Sequence, residues 1–168
     1  MTQNQDIYSL DKAIWTENDY EQMDWFECQI YGVSFIPNVI TLATDLAFDI
    51  DYIFARRQPA SPRQCTSFWI SPCTLIFKSA FDVNINIHAD GDPIQRLQIE
   101  DLCFIDKIEQ EKNKWLYEWD VNHLKGSITF KSFGFDQIAR QQPILTDTLF
   151  LSIEDRNGVN FNTTPFMA

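Results

Sequence analysis

Residues 44–54 alternate. Leu46, Phe48, Ile50, Tyr52 and Phe54 are large and apolar, and Asp45, Ala47, Asp49, Asp51 and Ile53 fall between them. Successive side chains of an extended strand point to opposite faces, so this spacing gathers the five apolar groups on one face; a helix would scatter them around its circumference. The stretch predicts a strand with one apolar face and one mainly polar, solvated face. Residues 28–36 read as its hairpin partner, with Pro37-Asn38 as the turn. The same two-residue rhythm returns at 81–88, less regularly at 94–105, at 115–121 and at 127–135, where Gly134 suggests a bulge.

Other stretches are less regular. Phe68-Trp69-Ile70 and Thr74-Leu75-Ile76-Phe77 are apolar runs on either side of Pro72, which has no N–H for a ladder and marks an edge, bulge or bend. Gln58-Pro59-Ala60-Ser61-Pro62-Arg63-Gln64 is a polar loop, and Asp90-Gly91-Asp92-Pro93 a turn. Residues 106–114 are charged and read as a loop or one helical turn. Residues 135–142, with Phe135, Ile138 and Ala139, are spaced for a short helix before Pro143. Asn157-Gly158 lies between residues 149–153 and 159–161, and predicts a last tight hairpin because it supplies positive φ angles. Near the start, Thr16 can cap a free N–H and Asp19 suits a helix N-terminus, which predicts a short helix over about 17–23.

About eight or nine short strands with frequent turns, and no long helices between them, predict a mainly β protein: an antiparallel β-sandwich or a curled, barrel-like sheet with one or two short helices. The 168 residues fit one domain, with 1–24 as an acidic N-terminal segment and 25–168 as the antiparallel core.

Charge narrows the partners. The 24 Asp+Glu outnumber 13 Lys+Arg, for a formal net charge of -11. Nucleic acid and anionic membrane surfaces call for a basic face, and the only adjacent basic pair is Arg56-Arg57, so neither is expected as a partner. A basic protein is the expected one. Sheet edges leave a homodimer as a further partner. The first residues carry no basic and apolar leader, and Cys28, Cys65, Cys73 and Cys103 form no C-x-x-C pair; the expectation is reduced thiols in the cytoplasm.

Few residues are placed for chemistry. Asp49 and Asp51, two apart on a strand, set their carboxylates about 7 Å apart, within the range of inverting glycosidases and suited to a hard cation. As a purely structural feature they are a wet outer face. His88 precedes Asp90 and Asp92, where an acid–base or metal role competes with plain turn chemistry. Trp115, Tyr117 and Trp119 share a face, which makes Trp115 and Trp119 either a stacking platform for a ligand or an inner sheet face. Walker, G-x-S-x-G, G-x-G-x-x-G and H-E-x-x-H motifs are missing. No catalytic residue, metal site or cofactor is assigned.

Met23-Asp24-Trp25-Phe26-Glu27-Cys28-Gln29-Ile30-Tyr31-Gly32-Val33, Leu46-Ala47-Phe48-Asp49-Ile50-Asp51-Tyr52-Ile53 and Phe68-Trp69-Ile70-Ser71-Pro72-Cys73-Thr74-Leu75-Ile76-Phe77 resemble segments of uncharacterised bacterial all-β proteins. Some similar small proteins are assigned as immunity proteins of polymorphic toxin systems. Phe26-Glu27 stands where that pattern often has His-Asp, and no catalytic residue carries over. The resemblance implies a non-catalytic protein-binding module, such as an immunity protein that neutralises a basic toxin. The aromatic content suggests a small-ligand-binding sandwich or barrel instead, and Asp49, Asp51 and His88 a carboxylate-dependent hydrolase.

Overall fold

The computed structural model describes residues 7–59, 61–62, 64–88, 90–91, 93–94 and 96–167. Residues 1–6, Ala60 and Arg63 of the polar loop, and Asp92 of the turn before Pro93 lie outside the described residues. The chain is mainly β, as its alternation predicts: one antiparallel sheet of ten strands, not closed into a barrel. In chain order the strands are β1 (Ile14–Thr16), β2 (Gln29–Pro37), β3 (Thr44–Arg57), β4 (Ser67–Phe77), β5 (Phe81–Ile87), β6 (Leu97–Glu111), β7 (Lys114–His123), β8 (Gly126–Ser132), β9 (Phe135–Ala139) and β10 (Ile144–Thr146). Their spatial order is β1-β9-β4-β3-β2-β6-β7-β8-β5, with β10 beside β4.

The sheet folds over where β2 meets β6, because only Gln29↔Gln98 and Ile30↔Leu97 pair there. As a result β3 and β4 face β7 and β8 across a dense layer of rings. Phe77 lies 4.6 Å from Phe130 and 5.2 Å from Trp119, and Phe48 lies 6.1 Å from Phe130, centroid to centroid. Edge-on and tilted contacts of this kind suit the ring quadrupole and add to the area buried.

The early helix forms where the capping residues require it. Glu17–Gln22 is a 3-10 helix; the Thr16 hydroxyl accepts from the N–H of Asn18, and the Asp19 carboxylate accepts from the N–H of Thr16. The Lys12 ammonium bound to Asp19, together with that N–H, holds its carboxyl below the usual range.

Three local expectations are corrected and one, at Pro72, is narrowed. Residues 106–114 are no long loop or helical turn: β6 continues to Glu111, residues 112–113 make a tight turn, and β7 starts at Lys114, so the two strands form one long hairpin. Residues 135–139 form β9 and not a helix, because β1 and β4 offer open edges on both sides of them. Of edge, bulge or bend, Pro72 takes the edge: its register with β3 is unbroken. Its carbonyl accepts from Arg140 N–H, so its nitrogen faces the same side, where β4 passes from β10 (Ile144↔Ile70) to β9 (Ala139↔Cys73) and no ladder bond is due. The tail keeps its turn, with φ of 60° at Asn157 and 78° at Gly158, but residues 149–153 and 159–161 pair with no strand.

The tail covers the face of β2, β3 and β4 that points away from the ring layer. The Asn160 N–H donates to Asp49 on β3, and the Asn162 carbonyl accepts from the Thr74 hydroxyl on β4. On β2, a Cβ on Gly32 would stand 3.0 Å from Cζ of Phe161, so a residue without a side chain lets the tail come close. β3 is therefore buried on both faces from Asp45 to Ile53.

Candidate functional site

The covered face of β3 changes the meaning of Asp49 and Asp51. Neither is a solvated outer residue; both are fully buried. Asp49 receives Nη2 of Arg140 at 2.6 Å and Nη2 of Arg156 at 2.7 Å on Oδ1, and Nη1 of Arg156 at 3.0 Å on Oδ2. Asp51 receives Nε of Arg156 at 3.1 Å, the Leu151 N–H at 2.7 Å and the Tyr31 hydroxyl at 3.0 Å. The Arg156 guanidinium lies 3.6 Å from the centroid of the Tyr31 ring and also donates to the Gly158 carbonyl. Burial pushes the Asp51 carboxyl up, against its backbone and Arg156 donors, and burial with the Asp51 charge pushes the Tyr31 hydroxyl up.

Two carboxylates against two guanidiniums make a neutral cluster, and a buried charge is tolerated when paired and bonded in this way. The carboxylate oxygens are occupied by donors of the protein. The arrangement fixes the tail to the sheet. A cleft of about 220 Å³ opens beside it, lined by Arg140, Arg156, Asn160 and Asn162.

The other sequence candidates do not join this cluster. His88 is exposed just past β5, and its N–H donates to the Lys125 carbonyl. Trp119 is no ligand platform: it is fully buried in the ring layer, and its indole N–H donates to the Ser132 hydroxyl at 2.9 Å. Trp115 shares its face but lies further out along the hairpin, 37% exposed, with Lys107 Nζ 4.5 Å from its ring centroid. Among the described residues, no group of three or more His, Cys, Asp or Glu is placed to hold a metal ion, and no helix is long and apolar enough to cross a membrane.

The sequence reading missed Tyr31, Arg140 and Arg156. His123, the other histidine of the sequence, is buried at the end of β7, where its Nδ1 accepts from the Lys125 N–H. Alternation along β7 was the available signal, because it puts His123 on the face of Trp119 and Val121.

A second feature lies on the outward face of β6, β7 and β8. In register order its rows read Asp101–Asn122–Ser127, Cys103–Asp120–Thr129 and Asp106–Glu118–Lys131. Four carboxylates thus occupy two neighbouring strands, and Asp106 stands directly opposite Glu118. The one cation in these rows, Lys131, is bound to Asp82 at 2.9 Å. Oδ1 of Asp120 is buried without a hydrogen-bond partner. Burial and the charges of Asp101 and Asp120 push the Cys103 thiol up, which marks the local potential as negative. Ile108 opposite Leu116 adds an aliphatic border.

No protein family, no curated protein and no solved structure matches this chain.

Proposed function

We propose that this protein is a non-catalytic binding module that takes a basic protein partner on the outward face of β6 and β7. The observation that carries this reading is the direct pairing of Asp106 with Glu118, beside Asp101 and Asp120, in rows whose one cation, Lys131, is bound to Asp82. Like charges opposite one another on adjacent strands destabilise a free sheet. A partner that brings Lys or Arg to this face relieves the repulsion, and long-range attraction to a chain of charge -11 speeds its capture. A basic nuclease toxin neutralised by an immunity protein is one partner of this chemistry, consistent with the segments around Trp25 and Trp69.

The test uses the immobilised protein and the purified products of its neighbouring genes, with Asp106→Lys/Glu118→Lys as the control. The expected result is one basic protein whose association rate falls steeply with salt and by about tenfold or more in the control. Equal binding by the charge-reversed variant overturns the reading, as does failure to bind any basic product. A matching melting temperature shows that the control is folded.

A further inference from the structure

We propose that β5 pairs antiparallel with β5 of a second copy of this chain, across a two-fold axis at Ile85. β5 ends the sheet, with β8 as its one neighbour. Ile85 lies opposite Ile128 and Ile87 opposite Gly126. Ile128 is fully buried, yet Ile85 is 43% and Ile87 38% exposed. The core-facing surface of the sheet thus stops at β5 before its apolar residues are covered.

The strand is self-complementary. Antiparallel pairing about Ile85 sets Val83 against Ile87 of the second copy, Asn84 against its Asn86, and Ile85 against itself. Val83, Ile85 and Ile87 then form one continuous aliphatic strip, and the four amides a ladder on the opposite face. An isologous two-fold contact needs this kind of palindromic pattern. Natural edges are protected by Lys, Pro, inward charges or bulges. Here the protection sits at one end only: Asp82, at φ 52°, breaks the register between Phe81 and Asn84, while residues 83–87 carry no charge and no proline. The bulge ends the usable edge at Val83, which places the axis at Ile85. Two copies of charge -11 repel elsewhere, so a second copy is held by this neutral strip and by backbone bonds.

Sedimentation of the full chain up to about 1 mM tests the inference, because so short an interface lies at the weak end of the range. The expected result is a concentration-dependent dimer that tightens as salt rises from about 0.05 M to about 0.5 M, as screening relieves the repulsion. Ile85→Lys and Ile85→Glu each put like charges on the axis and weaken the dimer by about tenfold or more. Mixed in equal amounts, the two variants pair with each other. A monomer at every concentration, a dimer indifferent to either substitution, or variants that stay apart when mixed although both melt as folded proteins each overturns it.

Discussion

Nη2 of Arg156 donates to Oδ1 of Asp49 at 2.7 Å, and neither side chain touches solvent. The two residues are separated by 107 positions in the chain. Withdrawing such charges from water costs several kcal/mol each, so the pair is tolerated rather than strongly stabilising, but losing one member is expensive. Arg156→Met leaves Asp51 without its guanidinium and is expected to cost about 3–5 kcal/mol in urea unfolding. Adding Asp49→Asn should cost less than the sum of the two single variants by at least about 1 kcal/mol. Strict additivity would mean that the two residues do not act as a unit.

Trp119 and Ser132 offer a second measurement. Ser132→Ala leaves the buried indole N–H without its acceptor and is expected to cost about 1–3 kcal/mol. Trp119→Ala opens the ring layer and should cost about 3–5 kcal/mol. A Trp119→Ala protein with an unchanged denaturation midpoint would place this side chain outside the core.

His123 gives a pH dependence. Burial holds its imidazole below the ordinary value of 6.5, with only partial opposition from a backbone bond to Asn86 and the charge of Glu100. The unfolded chain then takes up a proton before the native one does, so stability is lost as pH falls from about 6.5 towards the lower native value. Melting curves between about pH 5 and 7 should show this loss, and His123→Gln should flatten it. An unchanged slope in that variant would assign the pH dependence to other groups.

Leu42 is 91% exposed and sits at φ 57° in the turn after β2, where Asn38 binds the N–H groups of Ile40 and Thr41. Leucine is strained in this region and packs against nothing to offset the cost. Leu42→Gly should stabilise the fold by about 0.5 kcal/mol, since the relief of about 1–2 kcal/mol exceeds the entropy that glycine adds to the unfolded chain. A lower melting temperature would show that the side chain is engaged.

The strands were legible because each writes its own faces in a local code of period two: β3, β5 and β7 follow from residues that are chain neighbours. The capping of Glu17–Gln22 was legible for the same reason, with Thr16 and Asp19 three residues apart. The errors fall where a distant segment decides. Asp49 and Asp51 obey the alternation perfectly, but alternation says which face a side chain takes, not what later covers that face. Whether Pro72 marks an edge, a bulge or a bend is decided by β9 and β10, which come almost seventy residues later. The acidic rows across β6 and β7 required the register of a hairpin whose far end, at 106–114, is too charged to announce itself as strand.

The placement of Arg156 also sets a schedule for synthesis. When Asp49 and Asp51 leave the ribosome, neither guanidinium that will neutralise them is made: Arg140 follows Asp49 by 91 residues, and Arg156, the partner that both carboxylates share, follows it by 107. Until then β3 can bury its aliphatic side but holds two unanswered carboxylates on the other. The nascent protein remains half-clad, and a chaperone or protease has its best access during that interval.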